Sequence, residues 1–345
     1  MKIAFILLFL AGQAVAQSKI FISDEKFKPL KTGVSTREFA DSSRSNWLGT
    51  GPRPIRSVIW YPAGQGGTPE IIDDPGQISV PTTAIRDANV SSLKKKYPLI
   101  LISHGSQGNA QQMRWLGYYL ASRGYIAVAI NHNGTDIEER KTDLLSLSDF
   151  CMWERPKDLS VVLNKMLNDS VFSSKIDTSR IAAAGFSLGG ATVIWVAGAI
   201  FTIAELGKRE PAPPPIFKAS IDRLIELKKT DPIIMRSFEH SADSYKDNRI
   251  KAVFALAPAI GQGFTKEGLK NISIPVQIAV GDADVVAPIS SNAGHYAQHI
   301  PTSKKLIILP GERGHYMKPA EGTERAAELR ELSLLAYHFF EGVFK

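Results

Sequence analysis

The feature that most constrains this sequence is a serine between two glycines, at the junction of an apolar segment and a helix-like one. Residues 185–189 read Gly-Phe-Ser-Leu-Gly, directly after the strand-like segment 180–184 and at the start of the small-residue segment 188–200. A strand that turns this sharply into a helix strains the serine backbone, and glycines on either side avoid collision. The hydroxyl then stands at the positive end of the helix. The motif predicts a nucleophile at Ser187; the alternative is a helix-starting serine beside packing glycines.

Strand-like and helix-like segments alternate along most of the 345 residues. This alternation predicts an α/β fold with βαβ units and a mostly parallel central sheet flanked by helices, as one domain over residues 17–345. The predicted strands are 55–61, 97–103, 125–131, 180–184, 250–256, 274–280 and 305–309. The predicted helices are 111–123, one with Pro156 in its first turn, 188–200 and about 320–340. Residues 63–96, rich in Gly, Pro, Asp and Thr, are predicted to be a long surface excursion.

Residues 201–249 break this alternation. They are polar, contain Pro211 and a run of three prolines at 213–215, and include one amphipathic stretch. The apolar residues predicted to share one face of that stretch are Phe217, Ile221, Leu224 and Ile225. We expect a helical, lid-like insertion after the nucleophile helix, whose apolar face either packs on the body or lines a substrate pocket.

Residues 1–16 have the pattern of a secretory signal peptide. Met1 and Lys2 give a basic start, residues 3–10 are apolar, and Ala14 and Ala16 fit the small-x-small cleavage pattern. The apolar run is too short to anchor the chain in a bilayer. We therefore expect cleavage after Ala16 and an exported protein, periplasmic or secreted, without an integral membrane anchor.

Charge and cysteine content exclude several classes of partner and cofactor. The net charge is +7, but the basic residues are spread along the chain, so no nucleic-acid partner is expected. The single cysteine, Cys151, excludes an intramolecular disulfide and a cysteine-ligated metal site within one chain. His295 and His299 lie four apart, but no third ligand is evident near them. We expect neither a metal nor an organic cofactor.

A serine nucleophile needs a base and an acid that orients it, expected in the chain order serine, acid, histidine. His315 follows the last predicted strand, at the end of the sheet where ligands bind, whereas His338 lies in the final helix. Asp282 and Asp284 both follow the strand 274–280 and compete as the acid. Asp284 is preferred because it lies beyond the turn and can reach a neighbouring loop, while Asp282 is expected to form the turn.

An oxyanion needs two backbone N–H donors. One is expected from Leu188, the residue after the nucleophile, and the other from Ser106, in the loop that follows strand 97–103. His104 is expected to hold this loop through side-chain hydrogen bonds. The residues predicted to line the rim of the pocket are His104, Gln107, His132, Phe217 and Ile221.

At these residues the chain resembles the α/β-hydrolases, and more narrowly the bacterial predicted dienelactone hydrolases, a group related to platelet-activating-factor acetylhydrolases. The resembling segments are 53–63, 104–109, 122–135, 155–167, 180–190, 249–261, 274–288 and 314–316. The resemblance implies a triad of Ser187, Asp284 and His315, with the amides of Ser106 and Leu188 as the oxyanion hole. True dienelactone hydrolases have a cysteine nucleophile where this chain has Ser187.

The sequence therefore predicts a secreted serine hydrolase that cleaves carboxylic esters through an acyl-enzyme. The expected substrates are small-molecule esters, either short-chain or phospholipid-like acetyl esters. An amidase, a peptidase or a lipase on the same triad is an alternative within enzymes. A non-catalytic binding protein that keeps the hydrolase fold is the alternative from another class. The oligomeric state is left open.

Overall fold

The computed structural model describes residues 28–72, 82–134, 151–207, 215–317 and 322–345. The predicted signal peptide, residues 1–16, lies outside the described residues. The strands are β1 (Thr32–Ser45), β2 (Pro52–Pro62), β3 (Glu70–Ile72), β4 (Thr82–Arg86), β5 (Tyr97–Ser103), β6 (Ile126–Ile130), β7 (Ile176–Phe186), β8 (Val253–Leu256), β9 (Val276–Gly281) and β10 (Ile307–Leu309). The helices are α1 (Arg114–Ser122), α2 (Glu154–Leu167), α3 (Leu188–Val196), α4 (Ile203–Gly207), α5 (Pro215–Thr230), α6 (Pro232–Glu239), α7 (Lys266–Leu269), α8 (Ala293–His299) and α9 (Gly322–Val343).

These strands form one sheet in the order β10-β9-β8-β7-β5-β6-β2-β1-β4-β3. All neighbours from β10 to β6 are parallel, whereas β2 pairs antiparallel with both β6 and β1. The central strand β5 is buried along its whole length, because helices cover both faces of a parallel sheet. The predicted mostly parallel sheet is confirmed, and the carboxyl ends of its six parallel strands lie along one edge.

Helices pack on this sheet in pairs. Helix α1 contacts α9, and α2 contacts α3. Gly117 lets α1 approach the sheet closely, since a Cβ there would lie 2.4 Å from the Trp60 ring of β2. Leu159, Val162 and Leu163, on one face of α2, are buried. Within the described ranges, no helix combines the length and apolar character needed to cross a membrane.

The amino-terminal part of the sheet differs from the prediction. Residues 63–96 are not only a surface excursion, because β4 pairs parallel with β1 and β3 pairs antiparallel with β4. These strands have five and three residues, too few to stand out among glycines and prolines. Strand β1 was also missed, although it pairs with β2 along its length, because its polar and small residues show little apolar alternation.

The predicted insertion is helical and contains α4, α5 and α6. Helix α6 is joined to the body, because the Trp153 indole donates to the Ser237 carbonyl at 2.9 Å and the Ser237 hydroxyl donates to Glu154 at 2.6 Å. The prediction of a shared apolar face is wrong for Ile225, which is 43% exposed, whereas Leu224 is buried. Adjacent residues project about 100° apart on a helix, and Ile225 lies on the solvent side of Leu224.

Candidate active site

Ser187 lies in a sharp turn between β7 and α3. Its φ of 54° and ψ of −119° belong to a backbone region that residues other than glycine rarely adopt, as the predicted strained turn requires. A Cβ at Gly185 would lie 2.2 Å from the Gly189 carbonyl oxygen, and one at Gly189 would lie 2.0 Å from the Ser103 carbonyl oxygen. The two glycines are therefore required for β7, α3 and β5 to meet at the serine.

His315 and Asp284 complete a hydrogen-bonded chain with this serine. The Ser187 hydroxyl donates to His315 Nε2 at 2.8 Å, and His315 Nδ1–H donates to Asp284 Oδ2 at 2.7 Å. The other carboxylate oxygen of Asp284 accepts from the backbone N–H groups of Val286 and Ala287 at 3.1 and 2.8 Å. These bonds fix the carboxylate, which in turn fixes the ring orientation and tautomer of His315.

Asp282 occupies a different place from Asp284. Its carboxylate accepts from the backbone N–H groups of Gly311 and Arg313 at 2.9 and 2.8 Å. Desolvation opposes ionisation of Asp282, but these backbone hydrogen bonds outweigh it and lower its pKa. Asp282 therefore ties the histidine loop to the end of β9, while the structure brings Asp284, and not Asp282, to His315.

The loop after β5 lies directly beside the serine. A Cβ at Gly105 would lie 3.4 Å from the Ser187 Cβ, and Leu188 is the first residue of α3. The loop turns back on itself, because the Gly108 N–H donates to the Gly105 carbonyl oxygen at 3.3 Å and Gln107 has a φ of 55°. The structure thus brings the two predicted oxyanion segments next to Ser187.

The prediction that His104 and His132 line the pocket rim is wrong, because both side chains are completely buried. His104 lies under the loop, where its Nδ1–H donates to the Gly105 carbonyl oxygen at 2.6 Å. Of the other predicted rim residues, Gln107 is exposed on the loop and Ile221 is half-buried on α5. The side chain of Phe217 lies outside the described residues.

Apolar and aromatic side chains lie next to Asp284 and His315. Val285 and Val286, directly after Asp284, are exposed, as is Tyr316, directly after His315. The Phe186 ring lies 5.2 Å from the His315 ring and 5.8 Å from the Tyr316 ring, centroid to centroid. A bound molecule reaching His315 would therefore meet an apolar surface.

Sequence reasoning missed a buried charged cluster beneath this edge. Arg53 forms two hydrogen bonds with the Asp158 carboxylate at 2.8 and 2.9 Å, and Arg44 forms a third at 2.6 Å. Burial opposes ionisation of Asp158, but the two guanidinium groups outweigh it and hold its pKa well below the usual range. The one signal in the sequence is an acid directly beside the buried Leu159 of α2.

Two histidines considered as metal ligands have other partners. His295 Nε2 hydrogen-bonds with the Phe264 carbonyl oxygen at 2.9 Å, and His299 Nδ1–H donates to the His295 carbonyl oxygen at 2.8 Å. The described segments contain no group of three or more histidine, cysteine, aspartate or glutamate side chains placed to hold a metal ion.

Known proteins resemble this chain in sequence. Residues 74–204 match a family model described as PET hydrolase-like. Cutinase est1 of Thermobifida alba is 25% identical over 225 residues, which make up 65% of this chain and 54% of that protein. Cutinase 1 of Thermobifida cellulosilytica is 32% identical over 219 residues, 62% of this chain and 59% of that protein. The chain therefore spans little more than half the length of these relatives.

The fold is also found in a solved structure, the ferulic acid esterase from Streptomyces cinnamoneus. The TM-score is 0.58 at 19% identity, over 90% of this chain and 89% of the other. The chain is a member of the α/β-hydrolase superfamily. The predicted superfamily is thus confirmed, and in this α/β-hydrolase the serine turn, the acid loop and the histidine loop follow β7, β9 and β10.

Proposed function

We propose that this α/β-hydrolase cleaves carboxylic esters through an acyl-enzyme on Ser187. The observation that carries the proposal is the chain of hydrogen bonds from the Ser187 hydroxyl through His315 to Asp284, at 2.8 and 2.7 Å. A serine in this arrangement loses its proton to the imidazole as it attacks. The relatives named as cutinases and as a ferulic acid esterase support an ester substrate.

The reaction has two balanced steps. The Ser187 oxygen attacks the ester carbonyl while His315 Nε2 takes the serine proton, and collapse of the tetrahedral intermediate releases the alcohol with that proton. Water then attacks the acyl-enzyme and gives a proton to His315, and collapse of the second tetrahedral intermediate releases the acid as His315 returns that proton to the Ser187 oxygen. The backbone N–H groups of Leu188 and Ser106 stabilise the oxyanion in both steps.

The substrate is a small-molecule ester with an apolar acyl or alcohol group. The exposed Val285, Val286 and Tyr316 beside the triad support this class, because each apolar group buried on them stabilises binding. Short-chain and phospholipid-like acetyl esters remain the predicted members. Amides and long-chain lipids are the alternative substrates on the same triad, and a non-catalytic protein would need no complete triad.

A fluorophosphonate probe and a panel of substrates test the proposal. We expect the probe to label Ser187 and no other serine, and mass spectrometry of the digested protein would show this. p-Nitrophenyl esters of increasing chain length and a methyl ferulate should be hydrolysed, and p-nitroanilides should react far more slowly. Faster cleavage of the anilides would favour an amidase. If the protein shows neither labelling nor turnover, the non-catalytic binding protein is the alternative that remains.

The insertion supplies a test of the pocket. We propose that Ile221 contacts the acyl chain, so Ile221→Ala should change the relative turnover of adjacent chain lengths about fourfold, the equivalent of one methylene of about 0.8 kcal/mol. The matched control is Ile225→Ala, because Ile225 is more exposed on the same helix. If Ile221→Ala lowers only the thermal midpoint, the residue packs on the body and the pocket lies elsewhere.

We also propose export of this enzyme through the predicted signal peptide. Amino-terminal sequencing of protein produced from the full reading frame in a bacterial host should find residue 17 first, in the periplasm or medium. A mature chain that starts at Met1 in the cytoplasm would contradict export.

A further inference from the structure

A second Ser–His–Asp chain lies in the core beside the first. The Ser103 hydroxyl hydrogen-bonds with His132 Nε2 at 2.9 Å, and His132 Nδ1 hydrogen-bonds with Asp158 Oδ2 at 2.9 Å. All three side chains are completely buried. Ser103 is the last residue of β5 and pairs with β6 and β7, so it has no strained turn that would present its hydroxyl to a substrate. This second Ser–His–Asp arrangement is therefore not a second nucleophilic site, and its presence needs another explanation.

The charges around this chain fix the direction of its hydrogen bonds. Arg53 and Arg44 keep the Asp158 carboxylate ionised, so it accepts the proton on His132 Nδ1. Burial lowers the pKa of His132 to about 3 and Arg155 adds to this effect, while the hydrogen bond with Asp158 opposes it. A neutral ring with its proton on Nδ1 accepts at Nε2, so the Ser103 hydroxyl is the donor.

This chain is joined to the loop beside Ser187 at two points. Ser103 begins the loop, and the His132 backbone N–H donates to His104 Nε2 at 3.4 Å. His104 in turn holds the Gly105 carbonyl oxygen, and Arg155 donates to the His104 carbonyl oxygen. The backbone of Ser103 and His104 also lies against Gly189 at the start of α3, where a Cβ would be 2.0 and 2.6 Å from their carbonyl oxygens. A displacement of Ser103 would therefore move both predicted oxyanion segments.

We infer that Ser103, His132 and Asp158 form a positioning relay that holds the loop 103–108 against Ser187 and so sets the stabilisation of the oxyanion. The inference rests on the proposed ester hydrolysis. Stability alone explains the relay poorly, because replacing a buried charged cluster by apolar residues is often neutral or stabilising. A fixed loop is what an oxyanion hole requires, since its donors must be in place before charge develops.

Two variants of the relay test the inference in the full-length enzyme. Ser103→Ala removes one hydroxyl, and His132→Gln removes the connection to Asp158. We expect kcat for a p-nitrophenyl ester to fall about 10-fold in Ser103→Ala and about 100-fold in His132→Gln, because small misplacements near the reacting atoms cost up to about 10²-fold. KM should change less than about twofold, because the oxyanion contacts form only in the transition state.

A transition-state analogue separates positioning from folding. The inhibition constant of a trifluoromethyl ketone, which forms the tetrahedral adduct with Ser187, should rise in each variant by the factor by which kcat falls. Ser333→Ala is the matched control, because Ser333 is equally buried but donates to Leu329 within α9. It should lose thermal stability to a similar extent and keep kcat and inhibitor affinity.

The outcomes distinguish the relay from the proposed function. If the wild-type protein neither hydrolyses esters nor reacts with the fluorophosphonate probe, the proposed function fails. If the wild type is active and Ser103→Ala keeps its kcat and inhibitor affinity below its melting temperature, the relay is structural and the inference is overturned. Should His132→Gln fail to fold, Ser103→Ala alone decides between these outcomes.

Discussion

Two hydrogen-bonded arrangements of a serine, a histidine and an aspartate lie in the described part of the molecule, and their hydrogen-bond distances are nearly equal. Ser187, His315 and Asp284 are joined at 2.8 and 2.7 Å, and the relay of Ser103, His132 and Asp158 at 2.9 Å twice. The first serine is 9% exposed and sits in a strained turn, whereas the second is completely buried at the end of a regular strand.

The difference shows that hydrogen-bond geometry alone does not make a nucleophile. A substrate carbonyl must reach the serine oxygen, and the oxyanion that forms must meet backbone donors. Ser187 has the setting that the proposed function requires, because the turn lifts it from the sheet to the start of α3 and the Gly105 loop lies beside it. Ser103 meets neither requirement, so its histidine and aspartate can serve only to hold structure in place.

The strongest test of this comparison replaces each serine by alanine. Ser187→Ala should lower kcat by about 10⁶-fold, the loss found when a triad serine is removed from a protease. Ser103→Ala should lower kcat only about 10-fold and keep Ser187 open to fluorophosphonate labelling. Burst-corrected ester turnover would measure both. Equal losses in the two variants would contradict the assignment of the nucleophile.

The next largest difference in kcat is expected between variants of Asp284 and Asp282. Asp284→Asn should reduce kcat by about 10⁴-fold, because an amide that donates to His315 favours the wrong tautomer. Asp282→Asn is the control, since Asp282 only ties the histidine loop through backbone N–H groups, and it should cost tenfold or less. Single-turnover kinetics at saturating substrate would show the ranking. The opposite ranking would make Asp282 the catalytic acid.

The hydrogen-bonded chain that starts at Ser187 was more accessible to sequence reasoning than the relay. The glycine spacing around Ser187 is a local pattern, and a strand before it and a helix after it fix its meaning. Asp284 and His315 follow strands, so the alternation of elements placed them at the same edge. The relay has no such local pattern around Ser103, and only the folded structure brings His132 and Asp158 to it.

His132 shows why the prediction that two histidines line the pocket rim failed. A histidine after a parallel strand can turn towards solvent or back into the core, and the apolar run before it is the same in both cases. The ionised Asp158 on α2 decides that His132 turns into the core, because it accepts a hydrogen bond from His132 Nδ1. The prediction missed β1 and β4 for a related reason, since β1 is held by pairing with β2 and β4, and β4 by pairing with β1 and β3, rather than by an apolar pattern of their own.

Stability should separate the relay from ordinary surface ion pairs. Asp158→Asn should lower the free energy of unfolding by about 3–5 kcal/mol, because it leaves the buried Arg53 without its counter-charge. The control is Glu226→Gln, which breaks an exposed pair with Lys229 and should cost less than about 0.5 kcal/mol. Urea denaturation at pH 7 would measure both. A loss below 1 kcal/mol for Asp158→Asn would mean that water or other groups replace the carboxylate.

The smallest expected effect is a pH dependence that belongs to the relay histidine. Burial lowers the pKa of His132 to about 3, well below the value of about 6.5 that histidine has in an unfolded chain. Between these values the unfolded state binds the proton and the folded state does not, so stability is full above pH 6.5 and is lost as the pH falls. From pH 6.5 to pH 5 this one group should cost about 2 kcal/mol.

A variant without the titrating ring isolates this contribution. His132→Gln is less stable at neutral pH, but its free energy of unfolding should fall by about 2 kcal/mol less than that of the wild type between pH 6.5 and pH 5. His338→Gln, at an exposed position on α9, should follow the wild-type slope. Urea titrations at four pH values would give the slopes. If His132→Gln and the wild type lose stability in parallel, the folded protein binds a proton at His132 and the relay cannot hold Ser103 as a donor to a neutral ring.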